Sequence, residues 1–309
     1  MVYLATLHPT PPYDFVLRLQ LLARYAHPTL DMVDQGAYWR ALRVGAELAL
    51  VRVTSRGTSA NSALEVDLMA QSGAVRHEAV LAALTRVLPL TDASAFYTFA
   101  HQDEHLTEII QPVIGLPEIR TASVFEALAQ TIIEQQISWT TAQRAQRWLV
   151  EWAGSGISYN DKTFYTFPTA AQIAAASPDD LKPLKITFKR IALLQDIAQR
   201  VTNGELALET LCDLPPEAAY TNLLNLKGIG HWTAVVTLAR ACGYYHGVAH
   251  NDVALQSATN RYFYGGQGRI PPALVTETFA RYGEFAGFVA DLTLARWVLE
   301  QYPVRLTSE

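Results

Sequence analysis

The apolar residues of this chain change their spacing once, near Pro117, and that change separates two kinds of structure. Before it, "YWRALRV", "LALVRV" and "ALEVDLM" read as short strands. In the last of them Leu64, Val66 and Leu68 alternate with Glu65 and Asp67, so one face is buried and the other wet. Gly45 and the stretch from Gly57 to Asn61 supply turns for an antiparallel meander. The following "RHEAVLAALTRVL" has Val80, Leu81, Leu84, Val87 and Leu88 at helical spacing, which makes residues 1–117 an α+β domain.

Residues 118–309 read as an all-helical body in which no strand pattern interrupts. A capping box, Ser123 with Glu126, opens "VFEALAQTIIEQQ", and Ser138 caps "WTTAQRAQRWLVEWA". A second box, Ser177 with Asp180 and with Pro178 at the first helical position, predicts a short helix before the longer "FKRIALLQDIAQRV". No apolar run is long enough to span a membrane, and the first residues lack a basic stretch leading into an apolar one. Two cysteines, Cys212 and Cys242, supply neither a disulfide framework nor a four-cysteine iron–sulfur site, and a reducing cytoplasm is the expected setting. The net charge of −5 argues against a broad basic face for nucleic acid but leaves room for a small local contact.

One such contact is suggested by "LKGIGHWTAVV". Residues 216–243 read as helix, Gly228-Ile229-Gly230 turn, and second helix ended by Gly243, with Ile229 plugging the core. Two glycines let a backbone approach closely, and the helix start after them offers N–H groups and a positive dipole end to a phosphate. An ordinary tight turn between packed helices would use the same residues. Downstream, Asp252 opens a helix with Leu255, Ala258 and Tyr262 on one face, within a loop and helix spanning 249–263. It suits an N-cap as well as a catalytic carboxylate.

On these residues the chain resembles the helix-hairpin-helix (HhH-GPD) DNA glycosylase superfamily, whose signature is an L-x-G-I-G hairpin followed about twenty residues later by an essential Asp. Within it the chain is most similar to the DNA-3-methyladenine glycosylase II, or AlkA, type. "PPYDF", "GAYWRALRV", "FEALAQTIIEQQIS", "FPTAAQIAAASPDDLKPL" and "LARWVLEQYP" carry that likeness across residues 11–302. It implies an N-terminal antiparallel sheet domain with helices, followed by a two-lobed helical body with its cleft near the hairpin.

The activity implied is base excision: a damaged nucleotide is flipped out of duplex DNA and its N-glycosidic bond hydrolysed. Asp252 would stabilise the oxocarbenium-like sugar. Family members that also nick the strand carry a lysine two residues after the second glycine, where this chain has Trp232, so a monofunctional enzyme is expected. Trp232 would line the base pocket with Trp297, two faces suited to a cationic alkylated purine. A tryptophan in the first turn of a helix is equally at home in a core. Where the relatives carry pocket aromatics this chain has Leu21, Val236 and Val253, which changes the pocket's shape and electron density.

Gln136 falls at the position that fills the gap left by the extruded base, and Gln135 beside it reads either as part of that device or as a solvated helix end. Glu134 stands where a small residue is expected and would repel phosphate if it faced DNA. Phosphates would be held by backbone N–H groups from Leu226 through Gly228, Ile229, Gly230 and His231 to Trp232, and a monovalent cation can sit on the hairpin carbonyls in this family. His231, His246 and His250 read as surface or capping residues, and no transition metal or other cofactor is expected. The expected partner is damaged double-stranded DNA, met by a monomer in the nucleoid-associated cytoplasm. Two other functions share these residues: a glycosylase for an oxidised or deaminated base, and a non-catalytic reader of damaged DNA.

Overall fold

The computed structural model describes residues 1–25 and 30–303. Its N-terminal sheet is antiparallel, with strands β1 (Val2–Leu7), β2 (Asp31–Asp34), β3 (Ala37–Val44), β4 (Glu47–Arg56) and β5 (Ala63–Gln71) in the order β1-β5-β4-β3-β2. The predicted meander is the centre of this sheet, and the two edge strands were not foreseen. Both are partly exposed, and β2 is only DMVD, so neither shows an apolar alternation. Register pairs Tyr38 with Val53 and Val53 with Val66, which lines these residues along one face. Helix α1 (Phe15–Tyr25) and helix α2 (His77–Val87) cover that face through Phe15, Leu19, Val80 and Leu84.

The opposite face is less wet than the alternation implied. Ala41, Leu48, Leu50 and Met69 pack against Ile157 and Phe164, and Asp67 is held by Arg52 at 2.7 Å. Ile157 and Phe164 belong to a hairpin, β6 (Ser155–Tyr159) and β7 (Lys162–Thr166), that follows helices α3 (Ser94–Ala100), α4 (Glu104–Ile110), α5 (Val124–Glu134) and α6 (Trp139–Ala153). The body after residue 118 is therefore not all-helical. The signal was Asn160-Asp161, whose left-handed φ values of 46° and 59° make the two-residue turn that antiparallel strands prefer.

The remaining helices are α7 (Ala170–Ala174), α8 (Phe188–Thr202), α9 (Pro216–Leu224), α10 (His231–Cys242), α11 (Val253–Tyr264), α12 (Pro272–Ala280) and α13 (Ala286–Gln301). The Ser177–Asp180 box forms reciprocally, Asp180 N to Ser177 Oγ at 3.2 Å and Ser177 N to Asp180 Oδ2 at 2.9 Å. It opens a turn and a single 3₁₀ turn, Lys182–Leu184, in place of the short helix predicted. Ser123 accepts from Glu126 N at 3.0 Å, but the Glu126 carboxylate turns to Ala122 N and to Arg40 Nη2 at 2.9 Å instead of closing the box. Arg40, itself bonded to Asp31 at 2.7 Å, thereby fastens β3 to the start of α5 in the interior.

The buried helical residues form two cores. One is built from α5, α6, α8, α9 and α10 around Leu128, Ile132, Leu194 and Leu238. The other joins α3 and α4, through Phe96 and Leu106, to α11, α12 and α13, through Leu255, Phe279 and Val289. Packing thus crosses the change of period at Pro117. Cys212 and Cys242, read as no disulfide framework and as suited to a reducing setting, are joined in a disulfide that encloses α9, the hairpin and α10. Among the described residues no helix is long and apolar enough to cross a membrane.

Candidate nucleic-acid interface and catalytic carboxylate

Helix α9 gives way to the hairpin through two tight backbone bonds, Leu226 N to Leu223 O and Ile229 N to Leu226 O, both at 3.0 Å. Leu226 and Ile229 are buried in the first core, as the sequence required of Ile229. The two glycines differ in kind. Gly228 has φ 91°, a conformation that demands glycine, and a Cβ there would lie 2.9 Å from Leu193 Cδ2, so that side chain would also have to shift. Gly230 has φ −101° and ψ 179°, an extended conformation open to any residue, and a Cβ on it would meet nothing within 4 Å. Gly230 is the N-cap of α10, whose first-turn amides, from His231 to Thr233, have no acceptor within the helix. A buried hydroxyl pair, Thr131 and Thr237 at 2.9 Å, seats α10 against α5.

Asp252 lies one helix and a loop away and is half-buried. Its Oδ1 accepts from Ala254 N at 2.9 Å and Leu255 N at 3.0 Å, the bonding of an N-cap. Its Oδ2 accepts from Trp232 Nε1 at 3.1 Å. The capping and functional readings are therefore compatible: the cap holds one oxygen in place and leaves the other turned toward Trp232. Trp232 is likewise no core residue; it is half-buried and its indole N–H is committed to Asp252.

The other residues expected to line a base pocket lie on several elements. Leu21 is buried in the second core, against which Trp297 packs from α13. Val236 is half-buried on α10, and Val253, directly after Asp252, is 55% exposed. Tyr302, which sequence reasoning missed, stands edge-on to Trp297 with centroids 6.1 Å apart and beneath the Arg24 guanidinium at 3.4 Å.

At the end of α5, Gln136 is exposed with a left-handed φ of 54°. Gln135 is not a solvated end: its Nε2 donates to Thr233 Oγ1 at 3.0 Å and to Gly228 O at 3.4 Å, and Arg190 donates to its carbonyl. The tip of α5 is thus docked on the hairpin. Glu134 turns inward, where Oε1 accepts from Arg240 Nη1 and from Gln146 Nε2, each at 2.8 Å. At 8% exposure it offers no charge to a phosphate, and its presence is explained by the Arg240 pairing.

The histidines are more than surface residues. The His231 and His250 rings stack with centroids 4.4 Å apart, and both nitrogens of His231 are engaged, Nδ1 by Tyr220 Oη at 2.7 Å and Nε2 by Val248 O at 2.8 Å. Burial, with His231 adding to it, lowers the His250 pKa and favours its neutral form. His246 sits beside Tyr220, with ring centroids 5.5 Å apart. Stacked rings with committed nitrogens do not converge on a metal, and no group of three metal-ligating side chains occurs among the described residues.

No family model matches the chain. It is 28% identical to a DNA-3-methyladenine glycosylase of Bacillus subtilis over 79% of its own length and 80% of the relative's. It is 29% identical to DNA-3-methyladenine glycosylase 2 of Escherichia coli, over 74% and 77% respectively. Its fold is similar to a 3-methyladenine DNA glycosylase from Archaeoglobus fulgidus, with a TM-score of 0.80, 25% identity, and 97% and 99% of the two chains covered.

Proposed function

We propose, from the chain's homology to AlkA-type members of the helix-hairpin-helix glycosylase superfamily, that it is a DNA glycosylase of base-excision repair acting on alkylated purines. The observation that carries this reading is the placement of Asp252, with one carboxylate oxygen capped by α11 and the other held by the indole of the hairpin helix. The hairpin adds support. Nothing inside the protein requires glycine at Gly230, so the clearance there serves something outside, and a phosphodiester approaching the first-turn amides of α10 fits it.

In this reading the hairpin grips the backbone beside the lesion, and Gln136 enters the stack as the damaged nucleotide swings out between the two helical cores, which act as lobes. The C1′–N bond breaks with its electron pair leaving on the base. A cationic alkylated purine departs neutral and needs no protonation. Asp252 stabilises the positive sugar and orients a water, whose oxygen bonds to C1′ while its proton passes to the carboxylate. Trp232 replaces the lysine that a lyase would use as nucleophile, so the enzyme is monofunctional. It works as a monomer on duplex DNA, and the 1–117 sheet domain supports the 118–309 body; the hairpin carbonyls are the groups that would hold a monovalent cation of the kind the family resemblance implies.

Leu21, Val236 and Val253 favour a second reading of substrate, an oxidised or deaminated base that gains less from electron-rich walls. Chromatography of bases released from methylated duplex DNA tests both. Release of 3-methyladenine or 7-methylguanine by wild type and not by Asp252→Asn is the expected result. Undiminished release by that variant would remove Asp252 from the mechanism, and tight binding without release would leave a glycosylase for another lesion or a non-catalytic reader of damaged DNA.

A further inference from the structure

The geometry points to His231 as a positioning residue that ties the DNA-gripping end of the hairpin to the loop carrying Asp252. This rests on the glycosylase reading of that carboxylate. The loop leaves α10 at Gly243 and reaches Asp252 without regular structure. Its last turn is tight, with His250 N bonded to Val248 O and Asp252 N to Ala249 O, both at 2.8 Å, so whatever holds Val248 also orients Asp252. His231 does so twice. Its Nε2 donates to Val248 O at 2.8 Å, and its ring lies on His250 at an interplanar angle of 21°.

The ring is itself braced from the opposite side. Tyr220 of α9 bonds Nδ1 at 2.7 Å, while the Val248 carbonyl, which can only accept, requires the proton on Nε2. The next residue, Trp232, holds the Asp252 carboxylate. Two consecutive side chains at the start of α10 therefore set loop and carboxylate, while the backbone N–H groups of the same residues face the phosphate. A phosphate seated on the hairpin and the carboxylate at the sugar are held in one frame. Displacement of that frame by about 1 Å is enough to cost orders of magnitude in rate. Imidazole suits the task because it has two opposed polar edges and a flat apolar face.

The test compares single-turnover excision and equilibrium binding on a duplex containing 7-methylguanine for wild type, His231→Ala, His231→Gln and Asp252→Asn, with hydrogen exchange of residues 247–252 in the free proteins. His231→Ala is expected to excise about ten-fold or more slowly with Kd changed less than about two-fold. His231→Gln, whose amide reaches toward Val248 O, should recover most of the rate, and exchange of 247–252 should accelerate in the alanine variant alone. A wild-type rate in His231→Ala overturns the proposal, as does a loss accounted for wholly by Kd. If wild type releases no 7-methylguanine the alkylated-purine reading fails, and if Asp252→Asn still releases it the role of Asp252 fails; in either case hydrogen exchange of 247–252 decides whether His231 holds the loop.

Discussion

Trp232 donates its indole N–H to Oδ2 of Asp252 at 3.1 Å, so the hairpin helix and the carboxylate of the next helix are directly bonded. Trp232→Phe keeps an aromatic face, though a smaller one, and removes the donor. A hydrogen bond to a charged group contributes about 1.5–3 kcal/mol. Base release by this variant should slow by roughly ten-fold or more while lesion binding holds, as read from single-turnover rates beside gel-shift titrations.

The two hairpin glycines should separate stability from binding. Gly228→Ala forces φ 91° on a residue with a Cβ and drives it into Leu193, so it should lower unfolding stability by about 1–3 kcal/mol. Gly230→Ala should leave the melting curve nearly unchanged, because its Cβ points into open space, and should weaken DNA binding if the hairpin grips a phosphodiester as proposed. Equal loss of melting temperature in both would refute the distinction.

Cys212 and Cys242 close a loop of sequence separation 30 around the hairpin. By chain entropy such a bridge is worth about 3–4 kcal/mol. Cys212→Ser with Cys242→Ser, or treatment with dithiothreitol, should lower the denaturation midpoint, and reductant should have no further effect on the double variant.

Asp291 on α13 has its pKa raised to about 6, chiefly by burial, with Arg18 opposing and Glu118 adding to the rise. In the unfolded chain the group titrates near the ordinary value of about 3.9. Between these values the native state holds a proton that the unfolded chain has released, so this group's contribution is full below about pH 4 and is lost as pH rises through about 6. Melting curves of Asp291→Asn from pH 4 to 7 should lack that decline.

The sequence was most legible where one local rule decided the outcome. Ile229 in the core, Gly243 ending α10 at φ 68°, and Asp252 capping α11 all follow from turn and cap chemistry. It was least legible where partners lie far apart in the chain. Nothing near Glu134 announces Arg240, and nothing near Gln135 announces Thr233; each needed α5 and α10 to be packed first. The β6–β7 hairpin was hidden differently, since its strands have five residues each and only Asn160-Asp161 marks the turn. Trp232 and Asp252 could be nominated singly, but their bond could not be read from spacing.

The Arg40–Glu126 pair makes the sheet part of the interior of the whole molecule. A shortened chain beginning at 118 would leave the Glu126 carboxylate, only 3% exposed, without its guanidinium and would strip α3 and α4 from the core beneath α11. In this chain the sheet is therefore a structural partner of the helical body: the buried charge at the start of α5 is neutralised only while both are present.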